Sequence, residues 1–205
     1  LPIFGGYGQP FHTDRSSIKF FPAQYNVQAP IWAALELRRK LNGRTPDEIL
    51  IHTYKTAVTS SADSSKWHVT DRETADHSMP YVVAAALLDG EVTPTQFTAK
   101  RIQDPIIKNL MQNIRVQVDE AMTTSFPHTQ AARVEAYAAG QRYEVLISNA
   151  KGHEKNPASD SEIEEKFLML ARGVVSKDAA DAMLARLWAF DAEPDVSDWV
   201  RSLVL

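Results

Sequence analysis

Two short segments carry side chains able to bind a small anion or move a proton on it. The first, IKFFPAQYNVQ at residues 18–28, sets Lys19 among aromatic residues and follows it with amides at alternate positions, Gln24, Asn26 and Gln28. In an extended chain alternate residues face the same side, so these amides would form one row of hydrogen-bonding groups. The row would stand just ahead of a helix N-terminus, whose free N–H groups and partial positive charge suit a carboxylate. The same residues fit equally well a loop whose amides only cap and wire the backbone. The second segment, RETADHSMPY at residues 72–81, crowds Asp76, His77 and Ser78 at a helix start, with Arg72 just upstream. Pro80 lacks the N–H of a helix interior, so the helix should begin near Asp76 or Ser78. If one helical path covers both, His77 and Tyr81 share a face, and imidazole with phenol can donate, accept or shuttle protons. Taken alone, these residues read more simply as a buried histidine bonded to Asp76 and a core tyrosine.

Other chemistry is thinly represented. The chain has no cysteine, which excludes disulfide scaffolds, thiol catalysis and Cys-built metal sites. His12, His52, His68, His77, His128 and His153 show no HxH or HExxH spacing, so no local zinc site is expected. GGYG at residues 5–8 has neither the preceding strand nor the following Gly-Lys-Ser/Thr of a phosphate loop, and no GxSxG is present. The formal net charge of -4 argues against a broad nucleic-acid surface. No apolar run approaches bilayer length, so no membrane partner is expected. The first ten residues hold no basic stretch followed by an apolar one, so a cytoplasmic setting is expected, and a start at Leu1 points to processing or truncation.

The elements that must position these residues follow from patterning. A hydrophobic fraction of 44% over 205 residues can build a sizeable core. Residues 1–15 read as a Gly/Pro loop and 16–21 as a short strand. Residues 28–41 form a helix with Pro30 in its first turn, basic residues at its end and Gly43 as terminator. Residues 48–58 have strand character, 60–69 read as polar loop, and a second helix runs to about Leu88 before Asp89-Gly90. Short helices are expected at 93–97 and 104–113, each with Pro at its first position. Strands at 114–118, 132–138 and 143–148 follow, the last two joined as a hairpin. Helices at 159–171, 175–190 and 196–203 close the chain. The fold class is therefore α+β: an α+β portion over residues 1–158, then an all-helical portion over 159–205.

The same two segments, with DPIIKNLMQNIRV at 104–116 and KGHEKNPASDSEIEEKF at 151–167, resemble the MmgE/PrpD family. That family includes 2-methylcitrate dehydratases and cis-aconitate decarboxylases, and RETADHSMPY followed by LLDG looks most like the dehydratase branch. The resemblance implies a small lid-type domain over 1–158. It also implies that 159–205 returns to pack on an all-helical domain lying upstream and not in this chain. Lys19 matches the lysine before the family's Phe/Tyr-Pro-Ala, His77 the histidine of the second motif and Tyr81 the tyrosine after it. In the family these line the cleft between domains. Asn26 and Gln24 depart from the pattern, since family members carry His at the first position and Glu or His at the second.

What the resemblance implies is a lyase that removes water from a hydroxy polycarboxylate without a metal or other cofactor. Lys19, His77 and Tyr81 would be its catalytic residues on this chain. Gln24, Asn26, Gln28 and Arg72 would hold the substrate. A decarboxylase or epimerase of the same family is the alternative reaction. A further alternative is a lid and packing fragment that is inactive by itself. A homodimer is the expected assembly.

Overall fold

The computed structural model describes residues 4–6 and 8–202, so Leu1–Ile3 and Tyr7 of the expected N-terminal loop and Leu203 of the last expected helix lie outside it. The chain divides into two compact units, Leu1–Pro157 and Ala158–Leu205. The α+β class expected from patterning is the class observed. None of the described helices is long and apolar enough to cross a membrane.

The first unit is built on a four-stranded mixed sheet. Its strands are β1 (Glu48–Thr53), β2 (Ile114–Val118), β3 (Ala132–Ala138) and β4 (Gln141–Ile147), in the order β2-β1-β3-β4. Only the β1–β2 pair is parallel. Alternation fixes the register: Ile49 and Ile51 lie opposite Ala136 and Val134, and Val134 lies opposite Val145. These five side chains are buried on one face. The helix α1 (Gln28–Leu41) packs on that face against β3 and β4. Ala139 and Gly140 join β3 to β4 with φ of 50° and 74°. Two consecutive left-handed residues make the primed turn that matches strand twist.

The opposite face is polar and centres on Glu135, only 5% exposed. Its carboxylate accepts from Arg142 Nε at 2.9 Å and from the Tyr137 hydroxyl at 3.2 Å, and it pairs with Arg133 at 3.3 Å and His52 at 3.4 Å. The Arg142 hydrogen bond, more than any other neighbour, holds this carboxyl below its ordinary value of 4.5. A group with a depressed folded pKa stabilises the fold above its unfolded value and loses that contribution as pH falls through the folded one. Glu135→Gln is therefore expected to flatten the acid side of the stability–pH curve below about pH 4.5, measured by urea unfolding. An unchanged acid limb would reject this role.

Helix α4 (Met79–Asp89) is apolar on every side, and Met79 through Leu87 are all buried. Such a helix is stable only in a core, and it packs against α1 and against α6 (Pro105–Gln112). Ser78 caps its start by accepting from Tyr81 N at 3.1 Å. Gly90, at φ 78°, ends it. Gln24 N donates to Asp76 O at 2.9 Å ahead of both helices, and Arg38 near the end of α1 donates to Leu88 O at 2.7 Å near the end of α4. The two helices thus run side by side in the same direction, and their N-termini lie at one end.

Several expected elements are corrected. Residues 16–21 form no strand, because their backbone groups bond to the Gln28 side chain and to Gly152 instead of a neighbouring strand. The strand expected over 48–58 stops at Thr53, and Tyr54 opens a helix, α2 (Lys55–Ser61). The 60–69 loop contains a 3-10 turn, Ser64–Trp67, capped by Asp63. The helix start expected near Asp76 or Ser78 is found, with Ser78 as the cap of α4, and a short helix that was not foreseen, α3 (Arg72–Asp76), precedes it. Asn42, left-handed at φ 48°, ends α1 one residue before Gly43. Short helices α5 (Ala99–Ile102) and α7 (Glu120–Ser125) were not foreseen.

The second unit is helical: α8 (Asp160–Ala171), α9 (Lys177–Trp188) and α10 (Val196–Ser202). Ser159 and Glu162 form a capping box at the start of α8, and Ser176 caps α9. Leu170, Val174, Trp188, Phe190, Val196 and Val200 are exposed.

Candidate functional site

The first segment is held by side chains. Ile18 N donates to Gly152 O at 2.9 Å. Gly152 sits at φ 90°, and a Cβ there would come within 2.2 Å of Ile18 O, so this approach requires glycine. Two residues on, the buried Gln28 amide replaces a partner strand. Its Oε1 accepts from Phe20 N and Phe21 N, both at 3.1 Å. Its Nε2 donates to Phe21 O at 3.1 Å, Ala23 O at 3.2 Å and Gln24 O at 3.4 Å. Phe20 and Phe21 then pack on Trp32 of α1, with ring centroids 5.8 and 5.0 Å apart. Lys19 is exposed, and the backbone on either side of it is anchored.

The expected row of three amides does not form. Tyr25–Val27 is a 3-10 turn and Gln28 starts α1, so the chain is not extended and alternate side chains diverge. Gln28 is only 1% exposed and its amide is consumed by backbone, which corrects its assignment as a substrate-binding residue. Gln24 and Asn26 are half-buried and turn toward α2. The Tyr54 hydroxyl donates to Asn26 Oδ1 at 2.8 Å, Asn26 Nδ2 donates to Ser60 Oγ at 2.8 Å, and Ser61 Oγ donates to Gln24 Oε1. Burial pushes the Tyr54 phenol up, with nearby Tyr25 adding to the shift. Tyr54, Ser60 and Ser61 escaped sequence reasoning. They lie 28 or more positions from their partners, and no spacing rule reaches that far.

The second segment meets the first where Gln24 N donates to Asp76 O. At that junction Asp71 caps α3 and Ser78 caps α4, leaving His77 in the break between the helices. His77 Nδ1 lies 2.5 Å from Asp76 Oδ1 and 3.0 Å from Glu73 O. Both neighbours only accept, so Nδ1 carries the proton and the lone pair of the neutral ring is on Nε2. Among the described residues Nε2 has no protein partner, and the side chain is 42% exposed. An orienting carboxylate on one nitrogen and an open lone pair on the other is the arrangement of a general base. Arg72 is exposed at the first position of α3.

Tyr81 is not part of this surface. The helix break puts His77 and Tyr81 on different elements, so they share no face. Tyr81 is fully buried and donates its hydroxyl to Gln96 O at 2.5 Å. Burial pushes the phenol up to about 12. Its assignment as a catalytic residue is therefore corrected: it is a core tyrosine with a satisfied hydroxyl. Among the described residues no group of three or more His, Cys, Asp or Glu is placed to hold a metal ion.

Residues 21–189 match the MmgE/PrpD C-terminal domain, and the chain belongs to that family. Its relatives include human cis-aconitate decarboxylase, 23% identical over 90% of this chain and 39% of its own length. A 2-methylcitrate dehydratase of Salmonella typhi is 26% identical over 77% of this chain and 35% of its own length. The chain thus spans under two-fifths of the relatives it matches.

Proposed function

We propose that the chain supplies one wall of the active site of a lyase acting on a polycarboxylate, the elimination of water from a 2-methylcitrate-like substrate being the reaction read here. The observation that carries this reading is the Gln24–Asp76 junction. It seats an amide and an imidazole with an open lone pair beside the N-terminal ends of α1 and α4, where partial positive charge favours carboxylates. Lys19, on the segment that leads into this junction, supplies a cation for a second carboxylate.

In this mechanism His77 Nε2 takes the proton alpha to a carboxylate. The C–O bond to the beta hydroxyl breaks, and the oxygen leaves as water once protonated. The alpha proton is weakly acidic because its carboxylate is already charged, so Lys19 must offset the charge that develops there, while Gln24 orients another carboxylate. Asp76 holds the imidazole in the tautomer that accepts and stabilises the imidazolium. The acid and the opposite wall come from a helical domain upstream. The exposed apolar side chains of α8–α10 support that division, because they call for a covering surface. Decarboxylation is the second reading, favoured by the human relative, whose match covers 90% of this chain.

The test is turnover by the complete polypeptide on 2-methylcitrate and on cis-aconitate. Release of water from the first supports dehydration, and loss of carbon dioxide from the second supports the alternative. Turnover of neither overturns the reading. With the active substrate, Lys19→Ala is expected to lower kcat/KM at least about tenfold, the scale of one lost charge-assisted contact. An unchanged value would remove Lys19 from the site.

A further inference from the structure

We propose that Tyr54, Asn26, Ser60 and Ser61 form a one-way hydrogen-bond relay that locks the Gln24 amide with its NH2 group outward, making Gln24 a receptor for a carboxylate oxygen of the substrate. This rests on the polycarboxylate reading above and adds the residues that position its neutral anchor.

The direction of the relay follows from counting protons. Tyr54 is 1% exposed, and its ring stacks on Phe126 with centroids 4.7 Å apart. Its hydroxyl has one proton and gives it to Asn26 Oδ1 at 2.8 Å. With that oxygen accepting, Asn26 turns Nδ2 to Ser60 Oγ, also at 2.8 Å. Ser60 has one proton to pass on, and Ser61 Oγ at 3.2 Å is nearer than Ala57 O at 3.5 Å. Ser61 is fully buried and spends its proton on Gln24 Oε1. Every link accepts on one side and donates on the other, so the far end must be a donor. That end is Gln24 Nε2, which has no protein acceptor among the described residues.

The rest of Gln24 is fixed. Its N–H donates to Asp76 O, and its carbonyl accepts from Val27 N at 3.2 Å and Gln28 Nε2 at 3.4 Å. Only the NH2 group is left to meet a ligand. It presents two protons and no lone pair, so it pairs with carboxylate or carbonyl oxygen and rejects an ammonium or hydroxyl proton. Being neutral, it orients a carboxylate without adding charge. Ser61 acts through Gln24 and is a positioning residue.

The experiment measures binding of tricarballylate, a tricarboxylate with no hydroxyl to lose, to the complete polypeptide by calorimetry. It also measures KM and kcat on whichever substrate turns over. Ser61→Ala is expected to raise Kd and KM about 5–10-fold, with the loss in KM rather than kcat, since one aligned hydrogen bond is at stake. Ser61→Thr, which keeps the hydroxyl, is expected to restore both. Gln24→Glu, which keeps an oxygen for the Ser61 hydroxyl at this half-buried position, is expected to weaken tricarballylate more than tenfold by setting carboxylate against carboxylate. Equal or tighter binding by Gln24→Glu, or an unchanged Kd in Ser61→Ala, overturns the relay. If the native protein binds no tricarballylate, the polycarboxylate reading fails. The relay is then judged by the Gln24 side-chain NH2 resonances, expected to move to the free-glutamine position in Ser61→Ala and overturned if they do not.

Discussion

Gln28→Leu is expected to destabilise the protein by about 3–5 kcal/mol, the largest stability loss of any polar substitution considered. Leucine fills much of the same volume but offers no hydrogen bond. Phe20 N, Phe21 N and Phe21 O would then sit in or beside the core with their partner gone. Each buried group left unpaired costs about 1–3 kcal/mol. The segment carrying Lys19 would also detach from α1, because the same amide holds Ala23 and Gln24. The expected outcome is a fall in melting temperature of roughly 6–20 °C and a lower urea midpoint with no great change in slope. A loss below about 1 kcal/mol would show that water replaces the amide and that the segment is not held as described.

His77→Asn is expected to lower kcat in the complete enzyme by about 10²–10⁴-fold with little change in stability, the range for losing a positioned general base. Asparagine can still bond to Asp76 but has no lone pair of suitable basicity where Nε2 stood. Asp76→Asn is expected to fall in the same direction. An amide that donates to Nδ1 would move the ring proton to Nε2 and occupy the lone pair the reaction needs. Tyr81→Phe behaves oppositely. It removes a buried hydroxyl bonded to Gln96 O and is expected to cost about 1–2 kcal/mol of stability while kcat stays within about threefold. A large kcat loss in Tyr81→Phe with none in His77→Asn would reverse the assignment of the second segment.

How far the sequence discloses this arrangement depends on the range of the interactions. Strands β2 and β3 lie at the expected residues, because alternation of apolar residues is local and their buried face enforces it. The short helices that open on Pro94 and Pro105 also lie where expected, since Pro at a first helical position is a local signal. The stretch at 16–21 has strand composition, yet a glutamine in the following helix takes its hydrogen bonds, and composition does not register that. Pro80 marks a helix start correctly, but the cap at Ser78 breaks the path from His77 to Tyr81 and decides which of the two faces solvent. The candidate site was half legible. Lys19, Gln24, Asn26 and His77 stand out by type and spacing, while Tyr54, Ser60 and Ser61 join them only through the packing of α2 against the 25–27 turn.

The most direct test of the central claim is a crystal structure of the complete polypeptide with tricarballylate bound. One carboxylate is expected within hydrogen-bonding distance of Gln24 Nε2, a second at Lys19 Nζ, and His77 Nε2 facing the carbon chain between them. A ligand seated elsewhere, with all three groups turned to bulk water, would contradict it.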